Sequence, residues 1–217
     1  MTYRVLNLYA GVGGNRKHWT DCEVTAVEWD AKIAAVYQRL YPDDTVVVAD
    51  AHQFLLDHYT EFDMVWSSPP CQSHSRFTLS GRNRTPRYPN MALYQEVIFL
   101  RQFFGTNPWI VENVVPYYDP LIRATKVGRH LFWTNFAFYA EDVPSPPGFI
   151  NPTVGTVEAL QDWLGIHYDA RPTYTDNHCA TQPLRNAVHP DLGNQVFAAA
   201  RGRPVERPEQ LDLGMLL

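Results

Sequence analysis

An α/β fold, with a largely parallel sheet and helices on both faces, is predicted by three features of the 217-residue sequence. Short apolar runs recur along the first half of the chain. Stretches with apolar residues at helical spacing fall between them, and small or polar residues follow each run where a strand would end. Strands that alternate with helices build βαβ units, whose crossovers set successive strands parallel.

Tyr3–Tyr9 reads as a first buried strand closed by Ala10-Gly11, and Lys17, His18 and Trp19 are expected to form a first helix after that loop. Glu23–Val27 is a second strand, with Cys22 beside it in the core, and Ala31–Leu40 is a helix. Thr45–Ala49, Asp63–Trp66 and Pro108–Val111 are the third, fourth and fifth strands. Between the last two, Leu93, Val97, Leu100 and Phe104 mark a helix over Met91–Phe104. Leu131–Phe136 offers a sixth strand. A proline-rich stretch from Asp142 to Pro152 then opens an irregular, polar region in which Trp163 and His167 belong to a short, locally packed helix. Order returns at Arg185, and Phe197–Arg201 is helical. The expected organisation is a main domain of residues 1–136 and 185–201, a small lobe of 137–184, and a tail of 202–217.

With 45% hydrophobic and 13% aromatic residues the chain can bury one sizeable core. No apolar run approaches the ~18 residues of a membrane span, and the N-terminus enters a strand pattern directly, without a signal-peptide pattern. Cys22, Cys71 and Cys179 lie at unrelated spacings that form neither a disulfide framework nor a zinc pattern, and His178 adds no ligand set. The expectation is a monomeric, metal-free protein of the reducing cytoplasm, not secreted and not membrane-bound. A net charge of −5 argues against an anionic partner. Locally the sign reverses: residues 67–95 contain Arg76, Arg82, Arg84, Arg87 and His74 and no acid. Phosphate contact depends on such local surface and not on the total.

Gly11, Glu28, Asp50, Cys71 and Glu112 all fall just past expected strand ends, where open parallel sheets bind ligands. The loop Ala10-Gly-Val-Gly-Gly14 lacks the spaced glycines of a dinucleotide fingerprint, which disfavours a nicotinamide-dependent oxidoreductase, yet it allows close approach of backbone to a ligand. Glu28 can accept from ribose hydroxyls, Trp29 offers a flat face to adenine, and Asp50 can accept from an adenine amine. The plainer alternative makes Glu28 and Asp50 helix caps and Trp29 a core residue. Cys71, stiffened by Pro69-Pro70, suits a nucleophile. Carbon 5 of cytosine is too weak a nucleophile to attack a sulfonium methyl unaided. A thiolate added at carbon 6 turns the ring into an enamine, and a carboxyl group at ring nitrogen 3 stabilises the developing charge. Cys71 and Glu112 can supply those two groups.

These stretches resemble the DNA cytosine carbon 5 methyltransferase family. The match runs through Leu6–Gly14, Glu28-Trp29, Asp50, Pro70-Cys71-Gln72, Glu112-Asn113-Val114 and Gly193-Asn194. The resemblance implies a Rossmann-like S-adenosylmethionine-dependent methyltransferase sheet and a cytosine flipped out of double-stranded DNA. It implies S-adenosylmethionine held by Tyr9, Ala10, Gly11, Gly13, Gly14, Glu28, Trp29, Asp50, Ala51, Pro70 and Asn194. Cys71 would be the nucleophile, Glu112 would contact the base, and Arg129 would assist. Gln72, Ser73, Arg76, Arg82, Arg84 and Arg87 would face DNA, with residues 137–184 as a small target-recognition lobe. One departure stands out. The family usually has two arginines, one residue apart, before the strand at 131–136, and this chain has Gly128-Arg129-His130. Two alternatives stay open: a tRNA cytosine methyltransferase, since a branch of the family acts on tRNA, and a DNA-binding relative without catalysis.

Overall fold

Seven strands make one sheet in this computed structural model, which describes residues 2–79, 87–151, 153–175 and 178–203. The strands are β1 (Arg4–Leu8), β2 (Glu23–Val27), β3 (Thr45–Val47), β4 (Met64–Ser67), β5 (Trp109–Val114), β6 (Thr125–Val127) and β7 (His130–Thr134). Their spatial order is β3-β2-β1-β4-β5-β7-β6. The first five are parallel, and β7 runs antiparallel to both β5 and β6. The helices are α1 (Ala31–Leu40), α2 (Ala51–His58), α3 (Ala92–Phe103), α4 (Val157–Leu164), α5 (Gln182–Asn186) and α6 (Pro190–Ala200).

Both faces of the central strands are covered, which explains why their sequences are apolar without alternation. On one face Leu6, Leu8, Val65 and Val111 pack with Leu55 of α2 and with Leu93, Val97 and Leu100 of α3. On the other, Val5, Met64, Trp66, Ile110 and Phe132 pack with Val196 and Phe197 of α6. Cys22 is half-buried against that second cluster.

Several expectations are corrected. Trp19 does not sit on a helix. The chain from Ala10 to Trp19 descends through three successive turns, closed by Gly13 N–H to Ala10, Arg16 N–H to Gly13 and Trp19 N–H to Arg16. They deliver the Trp19 indole into the core, stacked on Phe197 with ring centroids 4.7 Å apart. The fifth strand does not end at Val111: its parallel pairing with β4 stops there, but β7 pairs with Ile110 through Val114, so Glu112 lies inside β5. Helix α6 begins earlier than expected, at Pro190, where proline fits the first turn and His189 caps the Asp191 N–H. Strand β6 has no counterpart among the expectations, whereas α2 agrees with the plainer alternative for Asp50, which caps it by accepting from the Gln53 N–H.

The segment 137–184 contributes α4, whose Val157, Leu160 and Leu164 join Ile166 against Val12, Ile33 and Val36. That segment thus shares an apolar cluster with α1. Trp163 packs edge-on to Phe149 and against the His189 ring, whereas His167 lies beyond the helix, after the left-handed cap at Gly165. No helix among the described residues is long and apolar enough to cross a membrane.

Gly193 lies mid-helix, where alanine ordinarily gains about 1 kcal/mol over glycine. Here a Cβ would sit 2.6 Å from Asn15 Cα and 2.7 Å from the Asn15 carbonyl oxygen, in backbone that cannot swing aside. Gly193→Ala is therefore expected to destabilise by about 1–3 kcal/mol, read as a lower Tm in thermal denaturation. A Tm at or above wild type would show that α6 does not clamp the turns after β1.

Candidate active site

A cavity of ≈ 480 Å³ opens at the carboxyl ends of β1, β2, β4 and β5. Tyr9, Ala10, Gly11 and Gly14 reach its wall from the turns after β1, and Glu28 and Trp29 from the end of β2. Pro70, Cys71 and Gln72 follow β4, Glu112 comes from β5, and Arg129 from the turn before β7. Residues named from five separate stretches of sequence thus meet in one space.

Others do not reach it. At Gly13, with φ +72°, the direction of a Cβ is filled by the rings of Tyr41 and Tyr37, so this glycine serves packing under the loop. Asp50 and Ala51 start α2 outside the wall, as does Asn194 on α6. Ser73, Arg76 and Arg87 also lie off it: the Ser73 hydroxyl accepts from Asn90 N–H, Arg76 Nε donates to the Pro116 carbonyl, and the Arg87 carbonyl accepts from the Tyr117 hydroxyl. Arg82 and Arg84 fall outside the described residues. Part of the wall was not anticipated. Tyr174, Gln182, Pro183 and Arg185 close the side opposite the sheet, and their irregular sequence carried no periodic signal.

The end near β1 and β2 is shaped by Glu28. Its buried carboxylate accepts the Gly11 N–H on Oε2 and the Asp30 N–H on Oε1, both at 3.0 Å. This draws the turn after β1 over the end of β2. Burial raises the Glu28 pKa, against the backbone donors that lower it. Gly11 has φ +55°, and the direction of its missing Cβ meets only the Tyr174 hydroxyl at 3.8 Å and the Tyr9 carbonyl at 4.0 Å, so its backbone is open to the cavity. Trp29 beside it is 48% exposed.

At the other end the loop bearing Cys71 is pinned by Asn113, whose Nδ2 donates to the Pro69 carbonyl at 2.8 Å. Glu112 faces Phe132 in the β5–β7 register, which makes His130 its diagonal neighbour on the same face. His130 Nδ1 lies 2.6 Å from Glu112 Oε1, with both side chains buried. This histidine went unnoticed in the sequence, although it occupies the stretch where the family pattern is broken. Gly128 stands at the break and turns the β6–β7 hairpin at φ +53°, a conformation that a residue with a Cβ adopts only under strain. Arg129 donates through Nη2 to the carbonyls of Arg185 and Ala187, and its guanidinium lies 4.9 Å from the Phe149 ring centroid. Burial lowers the Arg129 pKa, and Glu112 and Cys71 oppose that shift.

Burial, and then the charge of Glu112, push the Cys71 thiol up to about 11, with Arg129 pulling the other way. The resting group is a thiol. Removing the Glu112 charge lowers the thiol pKa, so Glu112→Gln should speed alkylation of Cys71 several-fold at any fixed pH below about 11. Mass spectrometry of the alkylated peptide over time reads the rate. A rate equal to wild type would mean that the two charges do not couple.

Comparison with known proteins places this arrangement. A DNMT2 variant from Spodoptera frugiperda is 24% identical, with 52% of this chain and 35% of that one covered and a TM-score of 0.39. A SAM-dependent methyltransferase from Agrobacterium tumefaciens is 15% identical, with 54% and 40% covered and a TM-score of 0.37. The chain spans 35% and 40% of the lengths of these two proteins. No curated protein matches it. The seven-stranded sheet with its helices has a Rossmann-like strand order, and S-adenosylmethionine is the cofactor that the matching family implies. The family model for C-5 cytosine-specific DNA methylases matches residues 3–116, more than half of the sequence, and the chain belongs to that family.

Proposed function

We propose that this protein methylates carbon 5 of cytosine in double-stranded DNA through a covalent adduct at Cys71. One observation carries the reading: Cys71 and Glu112 share a single cavity with Gly11, Glu28 and Trp29. The cofactor end suits S-adenosylmethionine. Both Glu28 oxygens face backbone N–H groups at the edge of the cavity, where the carboxylate can also accept from a ribose hydroxyl. Gly11 leaves its backbone open to close approach, and Trp29 offers an exposed indole face for adenine. Bound there, S-adenosylmethionine supplies an electrophilic methyl group.

The chain's own residues account for the rest. As Cys71 Sγ bonds to cytosine carbon 6, the thiol proton passes to solvent water and the electron pair of the 5,6 double bond moves toward carbon 5. Glu112 holds a proton at ring nitrogen 3 and so stabilises the enamine. Once carbon 5 carries its methyl group, loss of the carbon 5 hydrogen expels the sulfur and restores the ring. A thiol with a pKa of about 11 is a poor nucleophile near neutrality, so its proton must leave as sulfur adds. The nearby Arg129 cation favours that thiolate.

The acid-free arginine segment of residues 67–95 next to Cys71 favours a nucleic acid, and the matching family points to DNA among nucleic acids. Residues 137–184, with Arg171 and no lysine, can offer few side chains to base edges. At roughly 1–3 kcal/mol of discrimination per bidentate contact, a target of about two to four base pairs follows.

Incubation with S-adenosylmethionine and either duplex DNA or tRNA, followed by sequencing that distinguishes methylated cytosine, tests the reading. Methylation in a short motif of the duplex is expected. Methylation confined to tRNA would overturn the DNA assignment. Cys71→Ala should abolish transfer while the fold persists, and a duplex with 5-fluorocytosine at the target should trap the wild type covalently. Undiminished turnover by Cys71→Ala would remove the adduct from the mechanism.

A further inference from the structure

Behind the cavity wall, Glu96 on α3 is fully buried, yet it ties together three other elements. Its Oε1 accepts from the Tyr9 hydroxyl at 2.6 Å and lies 3.0 Å from His52 Nδ1 in the first turn of α2. Its Oε2 accepts from the Ser67 hydroxyl at the end of β4. Tyr9 belongs to the turns that shape the cofactor end, and Ser67 precedes Cys71 by four residues. A carboxylate this deep is retained only where donors compensate its lost hydration. Here those donors are the two loops that frame the cavity.

Tyr9 gives the contact its significance. Its φ is +55°, a left-handed conformation that is unfavourable for any residue with a Cβ. Such strain persists where surrounding contacts over-determine it. Burial, and then Glu96, raise the Tyr9 pKa far above its ordinary value, so the phenol remains a protonated donor.

We propose that Glu96 is a positioning residue for the cofactor site, holding Tyr9 in its left-handed turn so that Ala10 and Gly11 present their backbone to S-adenosylmethionine, with His52 as the charge partner that makes this hold pH-dependent. His52 is 30% exposed at the side chain and reaches solvent from the network. The groups that face it are Glu96 from α3, with the Tyr9 hydroxyl on the same carboxylate oxygen, and Asp50 at the start of its own helix. The bond to Glu96 raises the His52 pKa against burial, which lowers it, and Asp50 adds to the rise. The sign follows. A raised histidine pKa means that the protonated form is stabilised in the fold, an effect fully present below the ordinary value and lost as pH climbs through the raised one. Below that point imidazolium balances the buried carboxylate. Above it the buried carboxylate loses its counter-charge, and the folded arrangement that holds Tyr9 is less stable.

The proposal rests on the cofactor assignment and is tested by calorimetric binding of S-adenosylmethionine to the full chain, with Tm measured in parallel. Tyr9→Phe and Glu96→Gln should each weaken binding about ten-fold, the loss expected for a hydrogen bond to a charged group. The double variant should lose less than the sum of the two single losses, because the Tyr9–Glu96 contact is common to both changes. Wild-type affinity should fall as pH rises through the His52 titration, and His52→Gln should flatten that dependence. Should Glu96→Gln fail to fold, Tyr9→Phe with the His52 pH series still decides. Wild-type affinity in Tyr9→Phe, or a pH dependence that survives in His52→Gln, would overturn the proposal even if Tm drops. No binding by the wild type would instead overturn the cofactor assignment on which it rests.

Discussion

Burial of both faces of the central strands is the constraint from which the rest of the molecule follows. Val5, Leu6, Leu8, Val65, Trp66, Ile110 and Val111 are wholly buried, and helices cover the sheet on either side. Polar chemistry then has nowhere to go but the carboxyl edge, where the chain leaves each strand and must turn. The same segments that satisfy the core therefore deliver Gly11, Glu28, Cys71 and Glu112 to one cavity. Their convergence is a consequence of parallel strands aligned in register between two layers of helix.

Loops at such an edge need something to hold them, and here buried polar side chains do it. Glu28 draws down the turn after β1 through the Gly11 N–H, and Asn113 secures the Pro69 carbonyl two residues before the cysteine. Asp30 caps α1 and also accepts both the N–H and hydroxyl of Thr175, next to Tyr174 in the far wall. The bonds to Gly11, Pro69 and Thr175 join parts of the chain 17, 44 and 145 residues apart, and they restrain residues that line the cavity or, for Thr175, adjoin one that does. Pre-organisation of that kind lets fixed dipoles and donors act without reorganising when charge develops.

At the reactive end the balance of charge is close. Burial and Glu112 keep Cys71 protonated, while Arg129 favours its thiolate. Glu112 is itself engaged by His130 across the β5–β7 pair, and Arg129 spends Nη2 on two carbonyls at the end of α5. The hairpin that carries Arg129 and His130 is possible because Gly128 adopts a positive φ. Where the family has its arginine pair, this hairpin thus sets an imidazole against the Glu112 carboxylate.

Composition and periodicity determined much of this in advance. The α/β class, five parallel strands to within a few residues, α1, α3 and the cysteine, glutamate and glycine positions were legible because apolar period and turn chemistry are local properties. What tertiary structure alone decided involves distant partners. Glu112 became a strand residue because β7 extends the ladder past Val111. Lys17 to Trp19 became turns because the Trp19 indole is buried against Phe197, and Gly13 proved to be packing against Tyr37 and Tyr41. The wall of Tyr174, Gln182, Pro183 and Arg185, the His130–Glu112 contact and the Glu96 network were equally invisible. Tyr9 and Glu96 stand 87 residues apart, and no local pattern records that a helix will carry a carboxylate beneath a turn from the other end of the domain. Such contacts exist only once the sheet brings the elements together and excludes water from between them.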